Sequence, residues 1–151
     1  VMAHNPALLK AWATLRQHVV LDSALTEQQK EIVILRTGHR WGSEYEWAHH
    51  VYRGRKVGLS EDRIARAAVP FEPSQNADDE DSALIEATDA LLIKGRLDAA
   101  TQERLSQFLS NEAIIDIMAT VGMYTTLAFL VNTYATPVDE DVKAALAEAA
   151  G

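Results

Sequence analysis

Residues 25–67 read LTEQQKEIVILRTGHRWGSEYEWAHHVYRGRKVGLSEDRIARA and hold the strongest helix signals of the chain. Residues 26–29 and 43–46 each have the spacing of a capping box, in which a hydroxyl side chain opens a helix. The aliphatic run at residues 32–35 predicts that the first of these helices is buried on most sides. Gly58 predicts the end of the second helix. The stretch therefore predicts two consecutive helices, the first of them central to the core.

Helical signals continue on both sides of this pair. Asn5 followed by Pro6 is typical of an N-cap and first turn, and predicts an opening helix that runs to about His18. Two prolines and a run of acids predict an exposed loop from Pro70 to Asp81. No segment alternates with the period of a strand, so we predict an all-α single domain over residues 1–151, with about seven or eight helices. Five of these helices are expected to start near residues 60, 84, 98, 110 and 139.

The composition is that of one soluble globular domain. Of the 151 residues, 48% are hydrophobic and 24% are charged, and glycine and proline are few. The net charge of -8 and the lack of a basic stripe exclude nucleic acid as an expected partner. The absence of cysteine excludes disulfides, thiolate metal sites and a cysteine nucleophile, and it fits a reducing compartment, so we expect a cytoplasmic protein.

A membrane partner is not expected either. The longest apolar run, Ile114–Val131, is interrupted by Asp116, Gly122 and Tyr124, which favours a buried central helix over a membrane span. No charged-then-apolar leader opens the chain. The chain begins at Val1 rather than at methionine, from which we expect that some upstream residues are missing.

The helix at residues 43–58 carries the most reactive pair of side chains. At 100° per residue, Glu46 and His50 stack on one face and border the apolar arc that includes Trp47. His49 points elsewhere, in the direction of Arg53, and both are expected to lie on a solvated cationic surface. A carboxylate beside an imidazole at an apolar boundary is the pairing that general acid and base catalysis requires.

The two glutamates of this region each allow a second interpretation. Glu46 is also the third residue of a capping box, where a glutamate reaches back to the backbone of Ser43. Glu31, just before the aliphatic run, is either a partly buried carboxylate that needs a partner or a residue at a solvated edge. Glu31, Glu46 and His50 would suit iron or manganese, but no second histidine has a supporting spacing, so no metal is predicted.

The residues that carry these signals resemble the carboxymuconolactone decarboxylase family, which includes the alkylhydroperoxidase D-like proteins. The resemblance covers residues 25–67, together with MAHNPALLKAW at 2–12 and MATVGMYTTLAFLVNTY at 118–134. In the redox branch of the family a glutamate and a histidine accompany two cysteines. The glutamate falls on Glu31 and the histidine on His50, whereas the cysteine positions fall on Ser43 and Glu46.

The resemblance implies a helical bundle of the alkylhydroperoxidase D-like type that assembles into homotrimers or hexamers. Without cysteines, peroxidase activity is not expected, and the retained residues suit the non-redox, decarboxylase-like branch. We therefore expect acid and base chemistry on a small carboxylated lactone or ring acid, with no cofactor. The alternatives are a non-catalytic oligomeric scaffold, in which His50 titrates like an exposed imidazole and no concave pocket lies between the second and third helices, and a metal-dependent enzyme.

Roles follow for individual residues in the expected reaction. His50 would protonate an enolate or hydrogen-bond its oxygen, Glu46 would orient the imidazole, and Glu31 would be a buried proton relay. Substrate binding is expected from four further side chains: Arg36 or Arg40 for the carboxylate, together with Trp47 and Tyr124. A surface role for either arginine and a core role for Tyr124 are the alternatives.

Overall fold

The computed structural model describes residues 1–69 and 79–149, and within them it contains eight α-helices and no strand. The prediction of an all-α fold is thereby confirmed. A 3-10 turn at Met2–His4 precedes the first helix and a π-helical turn at His18–Asp22 follows it. The helices are α1 Pro6–Gln17, α2 Glu27–Arg40, α3 Glu44–Lys56, α4 Glu61–Arg66, α5 Glu80–Lys94, α6 Ala99–Ser106, α7 Asn111–Thr133 and α8 Glu140–Glu148.

Side-chain caps set most of the helix starts where the sequence indicates them. The Asn5 side chain accepts a hydrogen bond from the Leu8 N–H, as expected for the N-cap of α1. At the start of α2, Thr26 and Gln29 form both hydrogen bonds of a capping box. At the end of α5, Gly95 has φ 66°, a left-handed conformation that glycine adopts without strain.

The predicted loop from Pro70 to Asp81 can be compared with the structure only at its end. Residues 70–78 lie outside the described part of the chain. Helix α5 already begins at Glu80, so the prediction that Asp81 belongs to the loop is wrong. The reason is local, because the Asp79 side chain accepts a hydrogen bond from the Ser82 N–H and acts as the N-cap.

Helix α2 is the centre of the core and packs against α3, α5 and α7. Ile32, Val33 and Leu35 are fully buried, which agrees with the burial expected for the aliphatic run. Each buried aliphatic side chain contributes about 1.5–3 kcal/mol by leaving water. Because α2 is packed on several sides, a polar side chain on this helix, such as that of Glu31, is held in a fixed position.

Helix α7 lies along one side of this core. By length and composition it is the one helix among the described residues that could cross a membrane, and 44% of its most apolar window is buried inside the fold. Ile117 and Val121 pack in the core, whereas Ile115 and Phe129 are exposed. Helix α7 thus packs one of its faces against the core, in line with the expectation from the sequence.

Helix α1 forms a wall rather than a core element. None of its residues is buried. Its base is fixed by Asp116, which accepts hydrogen bonds from the Ser23 hydroxyl and the Ala24 N–H and pairs with His18 at 2.7 Å. The buried Lys30 ammonium donates to the Val20 carbonyl at 2.5 Å and holds the π-helical turn from the other side. These contacts set the direction in which α1 leaves the body of the protein.

Candidate functional site

The contact between α2 and α3 brings a carboxylate and an imidazole together inside the protein. Glu31 is 6% exposed and His50 is 3% exposed. His50 Nδ1 lies 2.6 Å from Glu31 Oε2, which is a short hydrogen bond. The pairing answers the question left open for Glu31, because the residue is a buried carboxylate with a partner rather than a solvated edge residue.

Glu46 completes the group from the other side of the ring. It is 5% exposed, and its Oε2 lies 3.5 Å from His50 Nε2. The Ser43 hydroxyl accepts from the Glu46 N–H, but the Ser43 N–H donates to the Gly38 carbonyl. The return bond of a capping box is therefore not formed, and the Glu46 carboxylate is left to face the imidazole.

The close approach of α2 and α3 at this point depends on Gly38. A Cβ added to Gly38 would lie 3.1 Å from the Cβ of Glu46, which is tighter than normal packing allows. The glycine therefore fixes how near Glu46 comes to the Glu31–His50 pair. His50 is bound by Glu31 more closely than by Glu46, so the orienting contact comes from Glu31 rather than from the residue that the sequence suggested.

The surroundings alter the acidity of two groups in the site. Burial raises the pKa of the Glu46 carboxyl, and the nearby His50 lowers it by a smaller amount. Burial also raises the pKa of the Tyr124 phenol far above its ordinary range, with the Glu31 charge acting in the same direction. Glu46 is thus suited to carry a proton, and Tyr124 remains a neutral hydrogen-bond donor.

Tyr124 is the sequence-predicted binding residue that does lie in the site. Its ring meets the His50 ring edge to face, with centroids 5.1 Å apart and planes at 88°. The residue is 4% exposed. Within residues 1–69 and 79–149 its hydroxyl has no hydrogen-bond partner, so it is free to bind a ligand.

These groups lie on one side of a cavity of about 620 Å³ between α1, α3 and α7. Its volume is in the range of small-molecule sites. The apolar part of the lining comes mainly from α1 and α7: Leu9, Trp12, Ala13, Met123, Leu127 and Val131. The polar part is Tyr45, Glu46, His49, His50 and Tyr124, with Lys10, Arg16 and Arg53 as the charged side chains that remain.

Arg16 and Arg53 were not selected by the sequence reasoning. Arg53 lies three residues after His50, a spacing that could have placed both at one cavity edge. The projection of α3 alone instead placed Arg53 on the solvated side, because such a projection contains no information about the position of α1. Arg16 belongs to the wall helix, whose position depends on the turn at His18–Asp22.

Three other predicted binding residues lie away from this cavity. Arg36 is 2% exposed, donates to both carboxylate oxygens of Asp89 at 2.8 and 2.6 Å, and also donates to the carbonyls of Ala67 and Val69. Arg40 is largely exposed, with its Nε 3.6 Å from the same Asp89. Trp47 packs against the core beside His39. The structure assigns all three to packing and ion pairs.

His49 also differs from the expectation. Its ring stacks on Tyr45 at 4.0 Å, and its Nε2 lies 3.1 Å from Asp139 at the start of α8. The side chain is 12% exposed, so the prediction of a solvated residue is wrong. The cause is α8, which covers this face of α3 and whose position the periodicity of α3 cannot reveal.

Within residues 1–69 and 79–149 no group of three His, Asp or Glu side chains has an arrangement that could hold a metal ion. Glu31, Glu46 and His50 are close together, but each ring nitrogen of His50 faces one of the carboxylates.

Solved structures with the same fold come from proteins of different described activities. A protein of unknown function from Agrobacterium tumefaciens, related in its description to the antioxidant defence protein AhpD, is 24% identical, with 91% of this chain and 94% of that chain covered and a TM-score of 0.78. The debrominase Bmp8 is 19% identical, with 97% and 79% covered and a TM-score of 0.76. A variant of Bmp8 was solved in complex with 2,3,4-tribromopyrrole. A peroxidase-related protein from Silicibacter is 15% identical, with 91% and 73% covered and a TM-score of 0.76.

The family follows from the sequence itself. No curated protein matches the chain. The family profile described as Carboxymuconolactone decarboxylase family matches residues 6–89, which include α1 to α3 and all three members of the buried Glu–His–Glu group. The chain belongs to the carboxymuconolactone decarboxylase family.

Proposed function

We propose that the protein catalyses acid and base chemistry on a small carboxylated lactone or related ring acid, by decarboxylation or a related lyase or isomerase step. The observation that carries the proposal is the buried imidazole of His50, held by Glu31 at 2.6 Å with Glu46 at 3.5 Å, beside an apolar cavity. Two carboxylates that hold one imidazole in a fixed direction are the arrangement that directed proton transfer requires.

The direction of the imidazole assigns the roles. With Nδ1 bound to Glu31, the Nε2 edge of His50 faces Glu46, which lines the cavity with it. A substrate carbon in the cavity would exchange its proton with this Nε2 and Glu46 pair. The Glu31 charge stabilises the imidazolium when His50 holds the extra proton.

In a decarboxylation the bond between the ring carbon and the carboxyl carbon breaks and carbon dioxide leaves. The electron pair moves into the conjugated lactone carbonyl and forms an enolate. The neutral hydroxyl of Tyr124 would donate a hydrogen bond to that oxygen, and His50 or Glu46 would deliver one proton to carbon. Solvent supplies one proton for each turnover, which balances the step.

The comparisons support a small ring as the ligand. Bmp8 binds a tribromopyrrole, a planar ring that a cavity of about 620 Å³ would hold with room for one or two substituents. The cysteine positions of the redox branch are Ser43 and Glu46 in this chain, which has no cysteine. Thiol-dependent peroxidase chemistry is therefore not proposed.

The rival hypothesis, a non-catalytic scaffold, makes two expectations that fit poorly. It expects His50 to titrate like an exposed imidazole and no concave pocket between the second and third helices, whereas His50 is 3% exposed and a cavity of about 210 Å³ is lined by residues of both α2 and α3, among them Glu31 and Arg53. Burial raises the pKa of the Glu46 carboxyl, and a buried ionisable group of this kind lowers the stability of the fold. A non-catalytic scaffold has no reason to retain such a group.

The test is a panel of small lactone acids and ring acids incubated with the protein in deuterated buffer. Product formation and deuterium incorporation are followed by NMR for the wild type, His50→Gln and His39→Gln, which changes an exposed histidine outside the cavity lining. We expect turnover with deuterium at the protonated carbon, a loss of at least about a hundredfold in His50→Gln, and little change in His39→Gln. Equal rates in the two histidine variants, or no turnover of any panel member, would count against the proposal.

We also propose that the protein works as a homo-oligomer, as the family resemblance implies. Large apolar side chains are exposed on both α1 and α7, among them Leu8, Leu15, Ile115 and Phe129. Rows of this kind on a folded chain are typical of subunit contacts. Light scattering after gel filtration should give a trimer or hexamer, and a monomeric mass at micromolar concentration would contradict this.

A further inference from the structure

Most arginines of this protein pair with a carboxylate, and two of the others line the cavity beside His50. Six of the nine arginines pair with a carboxylate: Arg36, Arg40, Arg55, Arg63, Arg66 and Arg104. In residues 1–69 and 79–149 no hydrogen bond or ion pair engages the remaining three, Arg16, Arg53 and Arg96. Two of these three line the same cavity, although the chain contains 22 acidic residues that could have paired with them.

The cavity therefore has the opposite electrostatic character to the chain. Its charged lining consists of Lys10, Arg16 and Arg53 against the single acid Glu46, whereas the whole chain has a net charge of -8. Lys10 likewise has no carboxylate partner among the described residues. A cationic concavity with apolar walls on an acidic protein concentrates anions and repels cations.

The two arginines come from opposite walls. Arg16 lies one turn after Trp12 on α1, and Arg53 lies one turn after His50 on α3. Both charges act on the Tyr124 phenol and lower its pKa, against the larger effect of burial. Both guanidiniums thus belong to the cavity that Tyr124 and His50 also line.

We infer that Arg16 and Arg53 form the anion subsite of this cavity and bind the carboxylate of an organic acid whose apolar body lies along Trp12 and Met123. The guanidinium fork fits a carboxylate through two parallel hydrogen bonds, which is the most specific contact available for such a group. This inference rests on the proposed function for the orientation of the ligand and names the residues that recognise it. Arg36 and Arg40 do not line this cavity, and both pair with Asp89.

The anchored carboxylate is one that stays in the product. A carboxylate bound by two guanidiniums loses that attraction as it becomes neutral carbon dioxide, so the contact would raise the barrier to its departure. The reacting carbon therefore belongs to another part of the molecule, beside His50 and Glu46. Such a ligand has an acid group at the cavity mouth and its reactive ring at the buried end.

The experiment uses benzoate and its neutral isostere benzamide as probes, with the Trp12 indole N–H signal in NMR titrations as the reporter. The indole signal is assigned with Trp12→Phe. Variants Arg16→Gln and Arg53→Gln are compared with Arg96→Gln, which removes an equally unpaired arginine that is not part of the cavity lining. We expect benzoate to bind the wild type and Arg96→Gln alike, and to bind each cavity variant about tenfold to a hundredfold more weakly. Benzamide should bind weakly to all four proteins.

Equal affinities for benzoate and benzamide in the wild type would overturn the inference, as would unchanged benzoate affinity in both cavity variants. The probe comparison in the wild type needs no variant to fold. Binding also needs no turnover, so the benzoate affinities are measured whether or not the protein catalyses the proposed reaction. A failure of the anion subsite is therefore distinguishable from a failure of the proposed reaction.

Discussion

The buried ion pair between Arg36 and Asp89 allows a quantitative test of the fold. The Arg36 side chain is 2% exposed and donates to both oxygens of Asp89, so the pair is shielded from water. Arg40 shares the same acceptor, but its Nε is 3.6 Å away and its side chain is 41% exposed. The chain thus offers a buried and an exposed arginine on one carboxylate.

The expected magnitudes follow from this difference in burial. Asp89→Ala leaves the Arg36 guanidinium buried with only the carbonyls of Ala67 and Val69 as partners. Removal of one member of a buried pair costs about 3–5 kcal/mol, because the other charge stays uncompensated. Arg40→Met breaks an exposed pair and should cost about 0–1 kcal/mol.

Urea unfolding followed by circular dichroism measures both values, and the melting temperature should fall by roughly 6–20 °C in Asp89→Ala. Benzoate affinity per folded molecule should be unchanged, because neither Arg36 nor Asp89 lines the cavity. A loss in Asp89→Ala no larger than in Arg40→Met would refute the description of a buried pair. Loss of benzoate binding in a folded Asp89→Ala protein would indicate that Arg36 belongs to the binding site.

Three further substitutions test the site and the helix ends. Burial raises the pKa of Glu46, so between the pKa of the unfolded chain and that of the folded protein only the folded state keeps the proton, and stability falls as pH rises through this range. Glu46→Gln should remove this fall, stabilise the protein at neutral pH by about 1.4 kcal/mol per unit of raised pKa, and reduce turnover. Urea unfolding at several pH values and the product assay measure these effects. Ala135 has φ 45°, a strained conformation for any residue with a Cβ, so Ala135→Gly should raise the free energy of thermal unfolding by about 1 kcal/mol. Ala144→Gly, on the exposed face of α8, should lower it by about as much, and a loss in both variants would contradict the strain at Ala135. Gly38→Ala should lower turnover by displacing Glu46, whereas Gly122→Ala should keep it, because a Cβ added at Gly122 has no atom within 4 Å. Equal turnover in the two variants would show that the contact between α2 and α3 tolerates a methyl group.

The fold could be predicted largely from local signals. Asn5, the capping box at residues 26–29, and Gly95 mark helix ends through hydrogen bonds and backbone angles that involve only neighbouring residues. The π-helical turn at His18–Asp22 was not predicted, because the hydrogen bonds that fix it come from Asp116 and Lys30, far away in the sequence. Local patterns define elements, and distant polar contacts define how they turn.

The candidate site could be predicted only as far as one helix face allows. The i,i+4 spacing indicated Glu46 and His50, and the position of Glu31 before the aliphatic run indicated a buried carboxylate. The sequence could not show which arginines face the cavity, because whether a cation is paired depends on acids that only the tertiary fold brings near it. Arg36 has Asp89, 53 residues away, whereas Arg53 has no such partner within residues 1–69 and 79–149.

The proposed chemistry depends above all on one feature, that Glu31 holds His50 in one orientation with its other nitrogen directed to Glu46 and the cavity. A long-range ¹H–¹⁵N NMR spectrum of the histidine rings measures this orientation in the wild type and in Glu31→Gln. We expect a single His50 form at neutral pH, with Nδ1 protonated and its proton shifted strongly downfield, and loss of that shift in Glu31→Gln. A His50 ring that averages between tautomers like a free imidazole, and that is indifferent to Glu31→Gln, would contradict the proposed role of the Glu31–His50 pair.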